Sequence, residues 1–419
     1  IVGIKTRVPN INDSGDVIYT IEMTDVPDPN YPLSKEDLLI IAGTDNNLRK
    51  FFFGDSGSTS WIKSKLLKRN KNKIIVIPRS EMLSSLMKPF RSIAVAGSHG
   101  KTTTTSLIAN IFNEADLSPT YVIGGKILSD DQSADLGKGE YMIVEADESD
   151  GSFLSLNPEI IVITNIDNDH LAFYDSKQSK LNEGFLKFIN NLPFNGYVLL
   201  NQDDPNVRLI KNNIKRKVIT YGTSYPCDYQ IIFHDSENFS QEFKVINKKN
   251  RLSIDLKTSL LGKHNLYNAA VASIISIEEG IAINHISRAL IKFSGVERRL
   301  EFSSITFTER RLDIIDDYGH HPEEIKAALS ATKLIAKKSK VLAIFQPHRY
   351  SRLKNHFNEF CSCFNDANEV VLLNVYAAGE KKIANCNNID LENGIRNYGH
   401  KNLSSIMNDE DIYKIILKQ

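Results

Sequence analysis

The residues best placed to do chemistry are Gly97-Ser98-His99-Gly100-Lys101-Thr102-Thr103. Two glycines followed by Lys-Thr have the composition of a phosphate cradle. Glycines let backbone N–H groups converge on phosphate oxygens, and the N-terminus of a following helix adds partial positive charge. Lys101 supplies a mobile cation, and the Thr102 hydroxyl can sit on a magnesium ion. The spacing departs from the standard G-x-x-x-x-G-K-[ST], because only Ser98 and His99 separate Gly97 from Gly100. A bare Gly/Lys/Thr cluster also arises by chance. Here an apolar run, Ile93–Ala96, precedes it and an amphipathic helix begins within Lys101–Thr105, which is the context a nucleotide site requires.

Two acidic clusters follow. Glu145-Ala-Asp147-Glu148-Ser-Asp150 ends the run Tyr141–Glu145, and Asn165-Ile-Asp167-Asn-Asp169-His170 ends the run Glu159–Thr164. Either alone fits a solvated acidic loop. Beside a phosphate site, carboxylates repel the nucleotide unless a cation intervenes, and Mg²⁺ is hard and oxygen-loving. Thr102 and Glu145 are the nominated oxygen ligands. For His170, ligation competes with a second-sphere or substrate role. His264, Asn265 and Asn268 together could read an adenine edge, with capping the alternative for a single Asn. Arg298 and Arg299 suit phosphate or carboxylate recognition.

These groups must be held by strands. Tyr141–Glu145 and Glu159–Thr164 are apolar runs of the length of central parallel strands, and ligands of open α/β sheets bind beyond the carboxyl ends of such strands. Helices are expected over Leu181–Leu192 and Ala269–Ile277. Further on, Leu312–Ile315, Val341–Phe345 and Val370–Asn374 each end in polar residues, which predicts one rim of a second doubly wound sheet. Residues 1–90 show strand runs at Val2–Ile4, Val17–Met23, Asp37–Gly43 and Lys73–Pro78 and a helix at Glu81–Met87, suggesting a small parallel α/β unit. The turn Gly54-Asp-Ser-Gly57 is expected to be a plain loop.

At 419 residues the chain is too long for a single core, and two or three domains are expected. Lys+Arg and Asp+Glu both number 51, a balance that argues against a general nucleic-acid binder. No apolar run approaches the ~18 residues needed to span a bilayer, so membrane insertion is not expected. No signal peptide is visible before the first strand-like residues, although Ile1 is not a natural start. Cys227, Cys361, Cys363 and Cys386 form no CxxC pair and suit free thiols in a reducing cytoplasm.

Taken together, the strings Ala96-Gly-Ser-His-Gly-Lys-Thr-Thr-Thr-Thr105, Glu145-Ala-Asp-Glu-Ser-Asp150, Thr164-Asn-Ile-Asp-Asn-Asp-His170, Gly262-Lys-His-Asn-Leu-Tyr-Asn268, Asp316-Asp-Tyr-Gly-His-His-Pro322 and Phe345-Gln-Pro-His-Arg-Tyr-Ser-Arg352 resemble the Mur ligases. The match runs from about Val76 to Glu380, in the family's order. The resemblance implies an α/β protein of three domains. These are a reduced N-terminal Rossmann-like UDP-sugar domain (1–90), a central P-loop ATPase-type domain with a mostly parallel sheet (91–293), and a C-terminal Rossmann-like amino-acid domain (294–419). It implies ATP and Mg²⁺ as cofactors and UDP-N-acetylmuramate and L-alanine as substrates, joined through an acyl phosphate in a cytoplasmic monomer or homodimer.

Carried over by position, Gly97, Ser98, His99, Gly100, Lys101, Thr102, Thr103, His264, Asn265, Asn268, Arg299 and Asp317 would contact ATP. Thr102, Glu145 and His170 would hold the metal. Glu145, Tyr318, His320, Arg349 and Arg352 would meet the substrates, and Lys101, Glu145, His170, His320 and Arg349 would carry catalysis. The glycine-rich turn with which the family cradles the UDP pyrophosphate is not recognisable in residues 1–90. Alternatives are a sister ligase that attaches a peptide or another amino acid, and a non-catalytic nucleotide-binding homologue.

Overall fold

The computed structural model describes residues 2–11, 17–24, 38–43, 74–129, 132–168, 171–175, 177–234, 241–307, 310–406, 412 and 415–416. The expected loop at Gly54–Gly57 and the candidate ligand His170 lie outside them.

Near the N-terminus, β1 (Val2–Ile11), β2 (Val17–Thr24), β3 (Leu38–Gly43) and β4 (Ile74–Pro78) form a four-stranded sheet ordered β2-β1-β3-β4. The helix α1 (Arg79–Met87) follows at once, as the sequence suggests. The sheet is not wholly parallel: β1 runs antiparallel to both neighbours, and only β3 and β4 pair in parallel. The short link between β1 and β2 favours this, since a parallel neighbour would need a long crossover.

The central unit is a ten-stranded sheet built around β5 (Arg91–Ala96). After β5 come α2 (Lys101–Glu114), β6 (Thr120–Ile127), β7 (Gln132–Asp135), β8 (Tyr141–Glu145) and β9 (Ile160–Ile163). Next are α3 (Gln178–Asn190), β10 (Tyr197–Asn201), β11 (Lys217–Gly222), β12 (Tyr229–Phe233), β13 (Gln241–Asn247) and β14 (Ser253–Thr258). The order is β14-β13-β12-β11-β10-β9-β5-β8-β6-β7. β5 lies between β8 and β9 and is parallel to both, so the three carboxyl ends share one rim. Strand periodicity explains the burial. Ile93 and Val95 of β5 face one core, under α2, α4 (Lys263–Glu278) and α5 (Ile283–Lys292). Ala94 and Ala96 face the other, under α1 and α3. With both faces covered, β5 is apolar from Ile93 to Ala96, and its polar residues Arg91 and Ser92 stand at its amino end.

Past Phe293 the chain is stitched to β6: Leu128 N–H donates to Gly295 O and Glu297 N–H to Lys126 O. It then forms β15 (Glu301–Phe307), β16 (Arg310–Asp316), α6 (Pro322–Ala336), β17 (Leu342–Phe345), β18 (Glu369–Leu372) and β19 (Leu403–Ser405). The parallel sheet β17-β18-β19 has its own core. The strand through Leu312–Ile315 does not join the rim with Val341–Phe345 and Val370–Asn374; it pairs along its whole length with β15 in an antiparallel hairpin. A close sequence neighbour satisfies its backbone with little loop-closure entropy. The third parallel strand is instead the short β19. Among the described residues the cysteines are all free, and no helix is long and apolar enough to cross a membrane.

Candidate nucleotide and substrate site

The turn after β5 has the conformation its glycines were expected to supply. Gly97 has φ +136° and Gly100 φ +81°, and a Cβ would fall 2.1 Å from Thr164 Oγ1 at the first and 2.6 Å from Asn268 Oδ1 at the second. Neither position admits a side chain. The segment after β9 holds the loop. His99 N–H donates to Asn165 Oδ1 (2.8 Å), while Thr164 Oγ1 and Asn165 Nδ2 donate to His99 O (2.7 and 3.0 Å). Ser98 Oγ accepts from Asp167 N–H at 2.8 Å. α2 then starts at Gly100 with no side-chain cap and no acidic residue in its first turn. Its N-terminal N–H groups suit an anion.

Lys101 is not extended into solvent. Its Nζ donates to Gly97 O (2.6 Å) and Glu148 Oε2 (2.8 Å). Burial would lower the pKa of Lys101, but the Glu148 charge outweighs it and raises it. Glu148 is fully buried, and burial pushes its own pKa up against the pull of Lys101. Its other oxygen, Oε1, has no hydrogen-bond partner among the described residues. The acidic string was visible in the sequence, yet Glu148 was not singled out from it; an inward-facing side chain has no signature in composition.

Thr102 Oγ1 donates to Glu145 Oε1 at 3.1 Å, and Gly124 N–H donates to Oε2 at 2.7 Å. The nominated metal pair is therefore together, with hard oxygen donors fixed from two strands and a helix. That donor set fits Mg²⁺, which usually takes one or two protein oxygens and completes its shell with water and phosphate.

A cavity of about 280 Å³ opens beside the loop, lined by both the central and the C-terminal units. His99, Gly100, Thr102, Thr103, His264, Asn265, Asn268, Arg299 and Asp317 all reach it. The asparagines are already engaged: Asn268 Nδ2 donates to Asn265 Oδ1 (3.1 Å), Asn268 Oδ1 accepts from Thr104 Oγ1 (3.2 Å), and Asn265 Nδ2 donates to Leu261 O (2.8 Å). Burial, with Arg299 adding, pushes the His264 ring down to about 4. Burial raises Asp317, whose oxygens accept from Gly319 and Leu300 N–H.

Two further carboxylates, neither nominated from sequence, meet His99. Its Nε2 lies 3.3 Å from Asp167 Oδ2 and its Nδ1 3.3 Å from Glu324 Oε1. Burial opposes charge on the ring, but these partners prevail and raise it to about 9.

Tyr318, His320, Arg349 and Arg352 are not in the cavity wall. They stand on the strand-end loops of the C-terminal unit. The half-exposed Tyr318 ring lies 5.0 Å from the Arg298 guanidinium and 5.3 Å from the His320 ring. His320 is 6.0 Å from His348, whose Nδ1 is 3.3 Å from Arg352. Arg349 has φ +69°, a strained position for any residue but glycine, and its N–H is held by Tyr376 O at 2.8 Å. Such strain is typical of residues aimed for function.

Fold and loop define an α/β nucleotide-binding protein of the phosphate-loop type. Residues 95–276 match the Mur ligase middle domain, and residues 298–417 the Mur ligase, glutamate ligase domain. A UDP-N-acetylmuramate–L-alanine ligase of Ruthia magnifica subsp. Calyptogena magnifica is 42% identical over 352 residues, covering 84% of this chain and 75% of that protein. Another, from Pelobacter propionicus, is 41% identical over 342 residues, covering 82% and 74%. Among solved structures, the UDP-N-acetylmuramate–alanine ligase of Thermotoga maritima has TM-score 0.71 at 24% identity, covering 90% of this chain and 78% of that one. The MurF ligase of Thermotoga maritima in complex with ADP has TM-score 0.65 at 16% identity, covering 91% and 88%. The chain belongs to the Mur ligase family.

Proposed function

We propose that this chain is an ADP-forming ligase joining L-alanine to UDP-N-acetylmuramate, a step of peptidoglycan precursor synthesis in the cytoplasm. The observation that carries the reading is the loop Gly97–Thr102, with Lys101 and the Thr102–Glu145 pair at one strand rim, in a chain about 40% identical to ligases of that name. Its parts divide as a UDP-sugar unit (1–90), an ATP unit (91–293) and an amino-acid unit (294–419).

The chemistry follows from the weakness of a carboxylate as an electrophile. The acid oxygen attacks the γ-phosphorus of ATP, the bond to ADP breaks, and an acyl phosphate forms. The amine of L-alanine then attacks the acyl carbon, loses a proton, and phosphate leaves with its bonding pair as the amide forms. Lys101 and the N–H groups of α2 would hold the transferring phosphoryl group, where neutralising charge is most of catalysis. Bound at Thr102 and Glu145, Mg²⁺ would neutralise phosphate charge. His264, Asn265 and Asn268 would flank the adenine, with Arg299 and Asp317 closing from the C-terminal unit. Arg349 or Arg352 would fork onto the alanine carboxylate, and His320 would orient the amine or accept its proton.

Phosphate release with ATP, UDP-N-acetylmuramate and L-alanine together, compared with glycine, L-serine and a tripeptide, tests the reading. Release that needs all three substrates and favours L-alanine is expected. Preference for the tripeptide would reassign the acceptor, and no release with any amine would leave a non-catalytic homologue.

A further inference from the structure

The His99 ring sits where two units of the chain meet, and more converges there than a phosphate loop requires. His99 and Asp167 come from the central unit and His321 from the start of α6. One ligand atom from each lies within 4.8 Å of the others, and the His99 and His321 ring centroids are 5.3 Å apart. We propose that His99, Asp167 and His321 form a binding site for a transition-metal cation of the Zn²⁺ class that bridges the central and C-terminal units.

The donor set points to that class. Two imidazoles and a carboxylate suit a borderline ion such as Zn²⁺, whereas Mg²⁺ prefers oxygen alone. A tetrahedral ion with bonds near 2.0–2.1 Å spaces its donors by about 3.3 Å. His99 Nε2 and Asp167 Oδ2 are already 3.3 Å apart, so modest inward movement of His321 completes three ligands and leaves a fourth position for water or a phosphate oxygen.

The surroundings supply a second, independent feature. Ligating histidines usually present their other ring nitrogen to a carboxylate, which fixes ring and tautomer. His99 Nδ1 faces Glu324 Oε1 at 3.3 Å, and Glu324 Oε2 is held by the N–H groups of His320 (3.0 Å) and His321 (3.1 Å). Asp167 is likewise oriented, its Oδ1 accepting from Asn168 N–H at 2.7 Å. The site shares no residue with the Thr102–Glu145 pair. An ion bound there would tie α6 to the phosphate loop across the cleft. Without one, His99 pairs with Asp167 inside the central unit and with Glu324 across the cleft.

Calorimetric titration of Zn²⁺ into the full chain, without nucleotide and with Mg²⁺ in excess to fill oxygen sites, tests the proposal. About one equivalent is expected to bind, with Asp167→Asn and His321→Asn each weakening it at least tenfold and Glu324→Gln weakening it about tenfold. His321→Asn keeps a side-chain acceptor at the start of α6, where His321 now accepts from Glu323 N–H, and circular dichroism checks that each variant is folded. His234→Ala, at an exposed histidine elsewhere, should bind as the parent does. The proposal is overturned if Zn²⁺ does not bind with that stoichiometry, or if it binds the Asp167 and His321 variants as tightly as the parent. Survival in the folded His321 variant alone would overturn the bridge.

Discussion

The two halves of the cleft are built on different terms. On the central side, Lys101 reaches a fully buried Glu148, and the loop carbonyls of Gly97 and His99 accept from Lys101 Nζ and Thr164 Oγ1. On the C-terminal side, Tyr318 and its neighbours stand half in water on strand-end loops, tied chiefly through backbone. The central half is held by side-chain contacts such as Lys101 with Glu148 and Thr164 with His99, whereas the C-terminal half offers side chains that solvent still reaches. Preorganised groups act in low dielectric and are strong. Exposed ones are screened and weak until water leaves.

That contrast can be broken. The largest effect is expected from Lys101→Ala, which should lower ATP turnover about 10³-fold or more; a loss under tenfold in steady-state assays would place the phosphates elsewhere. Glu148→Gln removes one partner of a buried pair and should cost about 3 kcal/mol in urea unfolding of the nucleotide-free protein. The deficit should shrink with saturating ATP. His264 sharpens the comparison through pH. Its folded pKa, about 4, lies below the unfolded 6.5, so the unfolded state takes up the proton first. The contribution is whole above pH 6.5 and is lost as pH falls through 4. Over that window the parent should lose about 2 kcal/mol more stability than His264→Gln, after allowing for the partial exposure of the ring. The smallest effect belongs to the exposed half: Arg349→Lys should raise KM for L-alanine about tenfold while leaving KM for ATP unchanged.

Local features were legible in the sequence. The strand–turn–helix from Arg91 to Glu114 and the rim position of Glu145 follow from apolar runs and glycines, because central parallel strands need both faces apolar. Non-local pairing was less so. In Glu301–Phe307 the apolar residues Phe302, Ile305 and Phe307 break strict alternation, so the segment does not announce itself as the partner of β16, and Leu403–Ser405 is too short and polar to mark a third parallel strand. Glu324 belongs to a helix more than two hundred positions from His99, so no spacing rule connects them. Asn265 and Asn268 lie three residues apart in α4, and their mutual hydrogen bond is a packing fact that sequence spacing does not carry.

The grip of Glu148 on Lys101 has a consequence for selectivity. A ligand that draws the ammonium forward must outbid a neighbouring carboxylate that is already desolvated and close. A neutral nucleoside has nothing to offer it, and a monoanion offers little more than an even exchange. On the proposed reading, a triphosphate with several formal charges would shift the lysine and leave the acid behind it to be relieved by protonation or by a nearby cation. The loop would then discriminate by the number of negative charges presented, before any base or sugar is examined.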